Sequence, residues 1–411
     1  MSPSPQGKEK HPQLRLAGRW LALVAAVGLA WPGLTESPTV VILPALSPHV
    51  AIGSALALRS AGWLTLLAIP VLVLVMVRPR WFCRQACPTG LMQETLERIR
   101  PTAARPCRFP LVGPWIVFLT LGGACLGYPL FLWLDPLGLF NGFLAAWRQP
   151  FSAVALAAGL GLPLLLVFAL LRPRTWCRRI CPLGATQDLL ALPGQWMRKT
   201  CRREAAAPLD AAAGNNRALA RRGFLGVGLG VVGALLTKSA RGQTPPPLRP
   251  PGSLPESNFT GVCLRCGNCA QVCPSRIIQP DLGRHGAASW LSPVLRFEDD
   301  YCRENCHRCN QVCPSGALAR LSLSDKRARV IGTAAVDLDL CLLAEGKECT
   351  ACIRRCPFEA LSIQTSNDGF STAPRVDSAK CNGCGACQAV CPTRPRRAIR
   401  VTRKAGASLL T

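Results

Sequence analysis

The stretch C263-L-R-C-G-N-C-A-Q-V-C-P274 returns, with different filling, as C381-N-G-C-G-A-C-Q-A-V-C-P392. Both read C-x2-C-x2-C-x3-C-P. Three thiolates at this pitch wrap one face of a cubane iron-sulfur cluster, and the fourth, set off by x3 and turned by proline, ligates a neighbouring cluster. Two looser runs lie between them. Cys302, Cys306, Cys309 and Cys313 open with x3, and Cys341, Cys349, Cys352 and Cys356 open with x7, but both keep the closing C-x2-C-x3-C-P. The four runs hold Cys263, Cys266, Cys269, Cys273, Cys302, Cys306, Cys309, Cys313, Cys341, Cys349, Cys352, Cys356, Cys381, Cys384, Cys387 and Cys391, sixteen of the 23 cysteines in the chain. Structural zinc pairs two C-x2-C knuckles across a longer loop without a third cysteine or a trailing proline, and disulfide frameworks carry no such pitch. The ladder is therefore expected to bind four 4Fe-4S clusters.

Working outward, the whole chain is 411 residues, 49% hydrophobic, with a formal charge of +26 and a positive mean hydropathy. That is too apolar for an ordinary soluble chain of this length, so a membrane part is expected. From Ser257 to Thr411 there are 21 Lys and Arg against 13 Asp and Glu, a surplus of +8. Each oxidised cluster with its four thiolates carries roughly −2, so four clusters nearly neutralise this region. The other +18 lies in the first 256 residues, between apolar segments, without an aromatic-basic face. Topology explains it better than phosphate binding, and nucleic acid is not expected as a partner.

Apolar segments at Trp20–Leu34, Gly62–Val77, Leu111–Leu134 and Phe151–Leu171 read as four membrane spans, with a Pro-broken apolar stretch from Val40 to Leu58. Basic residues concentrate in the tail (4), in 78–110 (7) and in 172–222 (11), while 33–61 and 135–150 hold one each, Arg59 and Arg148. By the positive-inside rule the tail and both basic loops are cytoplasmic. Those loops contain an internal repeat. RPRWFCRQACPTGLMQE (78–94) matches RPRTWCRRICPLGATQD (172–188) at an offset of 94, with nine of seventeen positions identical. Each copy supplies one C-x3-C-P, which is half a cubane site. Cys83, Cys87, Cys177 and Cys181 are thus expected to hold a fifth 4Fe-4S cluster, the competing reading being reduced structural thiols or a redox-labile pair. Cys107, Cys125 and Cys201 belong to no pattern and read as ordinary small residues.

From Ala218 the chain runs ALARRGFLGVGLGVVGALLTKSARGQ. Arg221-Arg222-Gly223-Phe224-Leu225 before a glycine-rich, weakly apolar core looks like a twin-arginine export signature, here internal, and is read as a fifth span that hands the next domain to the export machinery. The alternative is a chance Arg pair at the cytoplasmic end of an ordinary span. The Pro-rich stretch TPPPLRPPGSLPES (244–257) reads as a semi-rigid spacer. Val330–Val336 and Ala398–Val401 read as short strands. The domain order is then a cytoplasmic tail (1–19), a four-helix membrane domain with two cytoplasmic C-x3-C-P loops (20–217), a twin-arginine-like fifth span (218–241), a Pro-rich linker (242–257) and a four-cluster ferredoxin domain (258–404). The expected fold class is a membrane α-helical N-terminal half of about five transmembrane helices carrying an α+β ferredoxin-like polyferredoxin domain outside the cytoplasm.

Only His11, His49, His285 and His307 are present, which argues against a bis-histidine membrane haem, and C306-H307 lacks the C-x-x-C-H needed for haem attachment. No Rossmann or Walker fingerprint occurs, so nicotinamide and nucleotide chemistry are unsupported. Asp135, in an Asp-Pro pair near an outer span end, is a candidate acceptor of a quinol proton, although Asp before Pro more often caps a turn.

The paired RPRxxCRxxCPxGxxQ repeats, with Trp133–Gly138 (WLDPLG) at an outer end, resemble the NapH and MauN type of membrane iron-sulfur protein. The twin-arginine stretch and four-run ladder resemble the NapG and MauM type of periplasmic ferredoxin, so the chain looks like a fusion of the two. That resemblance implies an electron-transfer subunit of quinol dehydrogenase type rather than a stand-alone enzyme. Its expected partners are membrane quinol and a periplasmic reductase or its cytochrome c, at the cytoplasmic membrane of a bacterium. A donor for metalloenzyme maturation or a redox-sensing regulator is the alternative. NapH-type proteins usually add cytoplasmic C-x2-C-x2-C-x3-C-P motifs after the last span, and none precedes residue 222 here. Resemblance to four-cluster subunits of molybdoenzymes implies nested pairing of the runs, first with fourth and second with third. The gaps between runs, 28, 27 and 24 residues, do not discriminate this from sequential pairing.

Overall fold

The computed structural model describes residues 12–31, 38–99, 109–147, 153–173, 175–195, 210–240, 246–365 and 372–403. Cys107 and Cys201 lie outside them. The N-terminal half is helical: α1 (Pro12–Ala30), α2 (Pro48–Leu58), α3 (Ile69–Val77), α4 (Pro88–Ile99), α5 (Gly113–Cys125), α6 (Pro136–Ala146), α7 (Gly161–Leu171), α8 (Pro182–Leu190) and α9 (Asp210–Ser239). Prolines and glycines set most of the breaks. Pro48, Pro70, Pro114, Pro136 and Pro182 occupy first-turn positions, where a missing N–H costs no hydrogen bond. After α5, Gly127 takes the left-handed conformation at φ +76° and turns the chain away from the helix axis.

These breaks overturn the expectation of about five transmembrane helices. Among the described residues, α9 over Ala220–Ser239 is the one helix long and apolar enough to cross a bilayer. The pair Thr39–Ala45 and Pro48–Leu58 would make a second span only if taken together, and it is bent by 91°. The other apolar helices, Trp63–Val77, Gly113–Cys125, Pro136–Ala146 and Gly161–Leu171, are all shorter than 18 residues. At 1.5 Å per residue, the 13 residues of α5 rise about 20 Å against about 30 Å of hydrocarbon. The sequence windows were apolar across the breaks, so hydropathy joined segments that Gly127, Pro129 and the Gly159–Gly161 region separate.

The glycine-rich core of α9 has a packing role. A Cβ on Gly226 would lie 2.7 Å from Cβ of Phe118, and one on Gly230 would overlap the Leu119 carbonyl; from the other side, one on Gly122 would overlap the Val227 carbonyl. Small residues four apart on α9 and at the facing positions of α5 thus let the two backbones touch. Lys238 Nζ then donates to the Leu126 carbonyl at 2.6 Å, satisfying a terminal acceptor of α5.

The C-terminal half contains three two-stranded antiparallel sheets: β1 (Ile278–Pro280) with β2 (Pro293–Leu295), β3 (Thr333–Val336) with β6 (Ile399–Thr402), and β4 (Leu361–Thr365) with β5 (Thr372–Val376). Short helices flank or lie within the cysteine runs, among them α10 (Glu256–Val262) before the first and α11 (Asn268–Gln271) within it. The Pro-rich stretch does not hang free. Leu248 accepts from Leu295 N–H at 2.9 Å, and Arg249, buried at 2%, pairs with Glu256 at 2.6 Å and lies over the Phe259 ring.

Gly230→Val should push α9 off α5 at a cost of about 1–3 kcal/mol, read as a lower apparent Tm and faster proteolysis of α9. Gly228→Ala, which meets nothing within 4 Å, should stay within about 1 kcal/mol of the parent.

Candidate metal centre

Each run builds its thiol positions from backbone turns. In the first run Arg265 and Gly267 are left-handed, at φ +57° and +72°; in the last run Gly383 and Gly385 take the same places at +76° and +85°. This geometry aims successive N–H groups at sulfur. Cys263 accepts from Arg265 N–H, Cys266 from Asn268 N–H and Cys384 from Ala386 N–H. The fourth cysteine of each run, followed by proline, sits in its own cradle. Cys313 accepts from Leu318 N–H at 3.4 Å, Cys356 from Ala360 N–H at 3.4 Å, and Cys273 from Ser275, Ile277 and Ile278. Such donors suit a thiolate.

The fold groups the thiols in quartets that cross between runs. One cavity is lined by Cys263, Cys266 and Cys269 with Cys313. A second is lined by Cys381, Cys384 and Cys387 with Cys356, and a third by Cys341, Cys349 and Cys352 with Cys391. Cys302, Cys306 and Cys309 face Cys273 electrostatically, completing the fourth set. In every set the fourth thiol comes from the adjacent run: first with second, third with fourth. The nested pairing implied by the molybdoenzyme resemblance is therefore corrected to sequential pairing. The physical reason is reach, since the Cys-Pro turn of each run points its sulfur at the run packed directly against it.

Burial pushes these thiols upward: Cys263 to about 11, Cys384 to about 11, Cys352 to about 11, and Cys269 and Cys309 well above their ordinary value, with mutual repulsion adding to it. Cys391 is the exception, because donors from Thr393, Ile399 and Ala398 outweigh its burial and hold it below the ordinary range. Sulfurs raised this way ionise only against cations placed among them. Among the described residues no three His, Cys, Asp or Glu side chains converge on a single ion position. Three of the ladder sets line a cavity, which suits a multi-iron cluster.

The two C-x3-C-P loops also come together. After burial as the leading cause, Cys87 and Cys177 raise the Cys83 thiol, Cys87 raises Cys177, and all three raise Cys181, so the four lie close together. Cys177 is pushed up to about 12. The repeat is used crosswise: Gln187 Nε2 donates to Cys83 Sγ at 3.1 Å, while the Cys177 thiol donates to Gln93 Oε1 at 2.9 Å. Gln93 Nε2 is buried without a partner. An amide rotation would turn that N–H2 onto a Cys177 thiolate and restore the symmetry of the two halves, so the orphaned donor fits an ionised quartet. Arg80 bridges the halves by pairing with Asp188 at 2.5 Å and donating to the Cys177 carbonyl at 3.3 Å. Arg80, Gln93 and Gln187 belong to the repeat motif, but the sequence alone assigns them no role. Asp135 is fully buried and caps α6 through Leu137 and Gly138 N–H at 3.1 and 3.2 Å, the turn-capping role. Cys125 is exposed and stands apart from every quartet.

The 4Fe-4S dicluster domain model matches residues 262–317 and 347–394, one copy over each pair of adjacent runs. A 4Fe-4S binding domain model matches 60–105 and 154–202, one copy over each C-x3-C-P loop. Together with the quartets, these matches define an iron-sulfur electron-transfer protein of the ferredoxin type that carries 4Fe-4S clusters. The chain is 38% identical over 192 residues to the methylamine utilization ferredoxin-type protein MauM of Methylobacillus flagellatus, covering 43% of this chain and 78% of that one. It is 36% identical over 153 residues to the ferredoxin-type protein NapG of Escherichia coli, covering 35% and 65%. It belongs to the MauM ferredoxin-type family. No solved structure matches it.

Sequential pairing makes a discriminating prediction. Cys313→Ser should disturb the EPR signal of the cluster on Cys263, Cys266 and Cys269, and Cys391→Ser should leave that signal intact while disturbing the one on Cys341, Cys349 and Cys352. Nested pairing would make Cys391→Ser the variant that disturbs the first.

Proposed function

We propose that the chain is a membrane-associated relay that accepts electrons from quinol at its N-terminal half and passes them through the ladder to a periplasmic reductase or its cytochrome c. Cys83, Cys87, Cys177 and Cys181 would hold a fifth cluster and the sixteen ladder cysteines four. The observation that carries this reading is continuity. The Cys302 N–H donates to the Cys384 carbonyl at 2.9 Å, joining the second quartet to the one on Cys381, Cys384 and Cys387, so the two dicluster units abut. The order along the relay is then the first run's quartet, the second's, the fourth's and the third's. When bound, the clusters supply one-electron carriers; the chain's residues hold the thiolates, exclude water and supply N–H donors to sulfur.

Membrane association is supported by the outward faces of the N-terminal helices. Trp20, Leu21 and Val24 on α1, Val73 and Met76 on α3, Leu164 and Val167 on α7, and Phe224 on α9 are large, apolar and exposed. Such apolar exposure, in a chain that also has a helix of spanning length, suits lipid. Arg221 and Arg222 are exposed at the start of the spanning segment Ala220–Ser239 of α9, which supports the export reading and a ladder on the periplasmic side.

In membranes carrying the full chain, a reduced quinol analogue should reduce the ladder clusters seen by EPR, and the protein should contain roughly twenty iron atoms, four for each of five clusters. In Cys181→Ser about four of these should be lost and quinol reduction of the ladder should fall at least tenfold, while dithionite still reduces it. Undiminished quinol reduction in that variant would refute the relay.

A further inference from the structure

Helix α6 stands between two thiol sets. On one side its Leu137, Phe140 and Leu144 are buried in the same apolar cluster as Cys87 and Cys181. On the other side its glycines let it approach the first run's backbone. A Cβ on Gly138 would lie 3.7 Å from the Leu264 carbonyl oxygen, and one on Gly142 would lie 3.5 Å from that of Arg265. Gly142, Ala145 and Ala146 line the cavity shared by Cys263, Cys266, Cys269 and Cys313. Ala145 in turn crowds the left-handed Gly267, where an added Cβ would come within 2.8 Å. The position is fixed by polar contacts as well. Asn141, fully buried, donates to Asn268 Oδ1 at 3.2 Å and to the Val40 carbonyl at 2.9 Å.

One face of the helix is therefore large and buried in the cluster that holds Cys87 and Cys181, and the other is small and lines the cavity of the first ladder quartet. A helix is about 10 Å across including its side chains, and the small face shortens that path. Electron tunnelling falls steeply with distance, and the glycines of the small face bring the helix close to the first run's backbone.

We propose that α6 is the electron bridge between the Cys83, Cys87, Cys177 and Cys181 quartet and the quartet of Cys263, Cys266, Cys269 and Cys313, making the latter the entry to the ladder. This rests on the reading of the N-terminal quartet as a cluster site. One electron leaves the N-terminal cluster, which is oxidised, and arrives on the first ladder cluster, which is reduced; no bond is made or broken and no proton moves. The electron is supplied by a quinol or, in the test, by dithionite.

The test uses the full chain, with Cys263→Ser assigning the first ladder signal. In dithionite-reduced protein that signal should be broadened by spin coupling to the N-terminal cluster, and Cys177→Ser should abolish the broadening without altering the signal of the cluster on Cys341, Cys349 and Cys352. Gly142→Leu should slow ladder reduction by quinol several-fold relative to the dithionite-reducible signal of the same sample, with iron measured alongside. If Cys177→Ser loses iron and the first ladder signal keeps its shape, the bridge is wrong and the cluster reading stands. If Cys177→Ser loses no iron, the cluster reading fails and the bridge falls with it. Should Gly142→Leu lose the first cluster, the broadening in the parent chain and its loss in Cys177→Ser decide alone.

Discussion

Four thiolates cannot share a buried space without cations among them, and that constraint shapes every part of this chain. Burial and mutual repulsion raise Cys83, Cys181, Cys269 and Cys309 well above the ordinary thiol range. The compensation comes from iron and from backbone donors. The left-handed turns at Arg265, Gly267, Gly383 and Gly385 create those donors. Gly385 is needed for a second reason, since a Cβ there would collide with the Phe297 ring that roofs the last run. The main apolar cluster of the C-terminal half counts Cys273, Cys341, Cys387 and Cys391 among its buried members, beside aliphatic residues and Phe297. Cluster binding would therefore add directly to the stability of this half.

Crossing of the fourth cysteine turns four runs into two units. A cluster whose ligands come from two runs ties those runs together, as a disulfide would, and two clusters tie them twice. The two units then join through Cys302 with Cys384, and through Ile331 N–H with the Asn382 carbonyl at 2.8 Å. Because the contact is made by the second and fourth runs, the spatial order of the quartets departs from their order in sequence. Lys326, buried at 1%, sits at this junction and bears electrostatically on Cys302. A lysine ammonium there would favour the reduced state of a cluster held by the quartet it faces.

What the sequence could and could not reveal divides along the range of the interactions. The ligand positions were legible because each run is a local device, with its turns and proline within a dozen residues. The repeat was legible because the crosswise contacts of Gln93, Gln187 and Asp188 require matched copies. The strands β3 and β6 stood out as apolar segments, though nothing local paired them. Pairing of the runs was not legible, since gaps of 28, 27 and 24 residues allow either topology and only tertiary packing selects one. The spans failed because hydropathy averages over breaks: Gly127 and the glycines near residue 160 end helices without lowering the window. The glycines of α9 carried two meanings, a weakly apolar export core and a close helix contact, and only the facing Gly122 makes the second visible.

Covalent continuity of the helical half with the ladder has a consequence for how electrons would enter. Separate proteins must meet, and each encounter samples many orientations. Here the first run is seated permanently: Gln271 Nε2 donates to the Ala30 carbonyl at 2.8 Å, Asn268 Nδ2 to that of Val40 at 3.3 Å, and the Arg265 guanidinium lies 4.9 Å from the Trp133 ring centroid. Asn268 and Gln271 are each 1% exposed. Buried polar contacts of this kind fix register more than they add stability, because a slipped arrangement would leave their partners unsatisfied. The second dicluster unit has no such tie to the helices among the contacts described and approaches them only through the first. On the proposed relay one end of the ladder is thus committed within the chain, and the quartet of Cys341, Cys349, Cys352 and Cys391 would be the end left to meet another molecule.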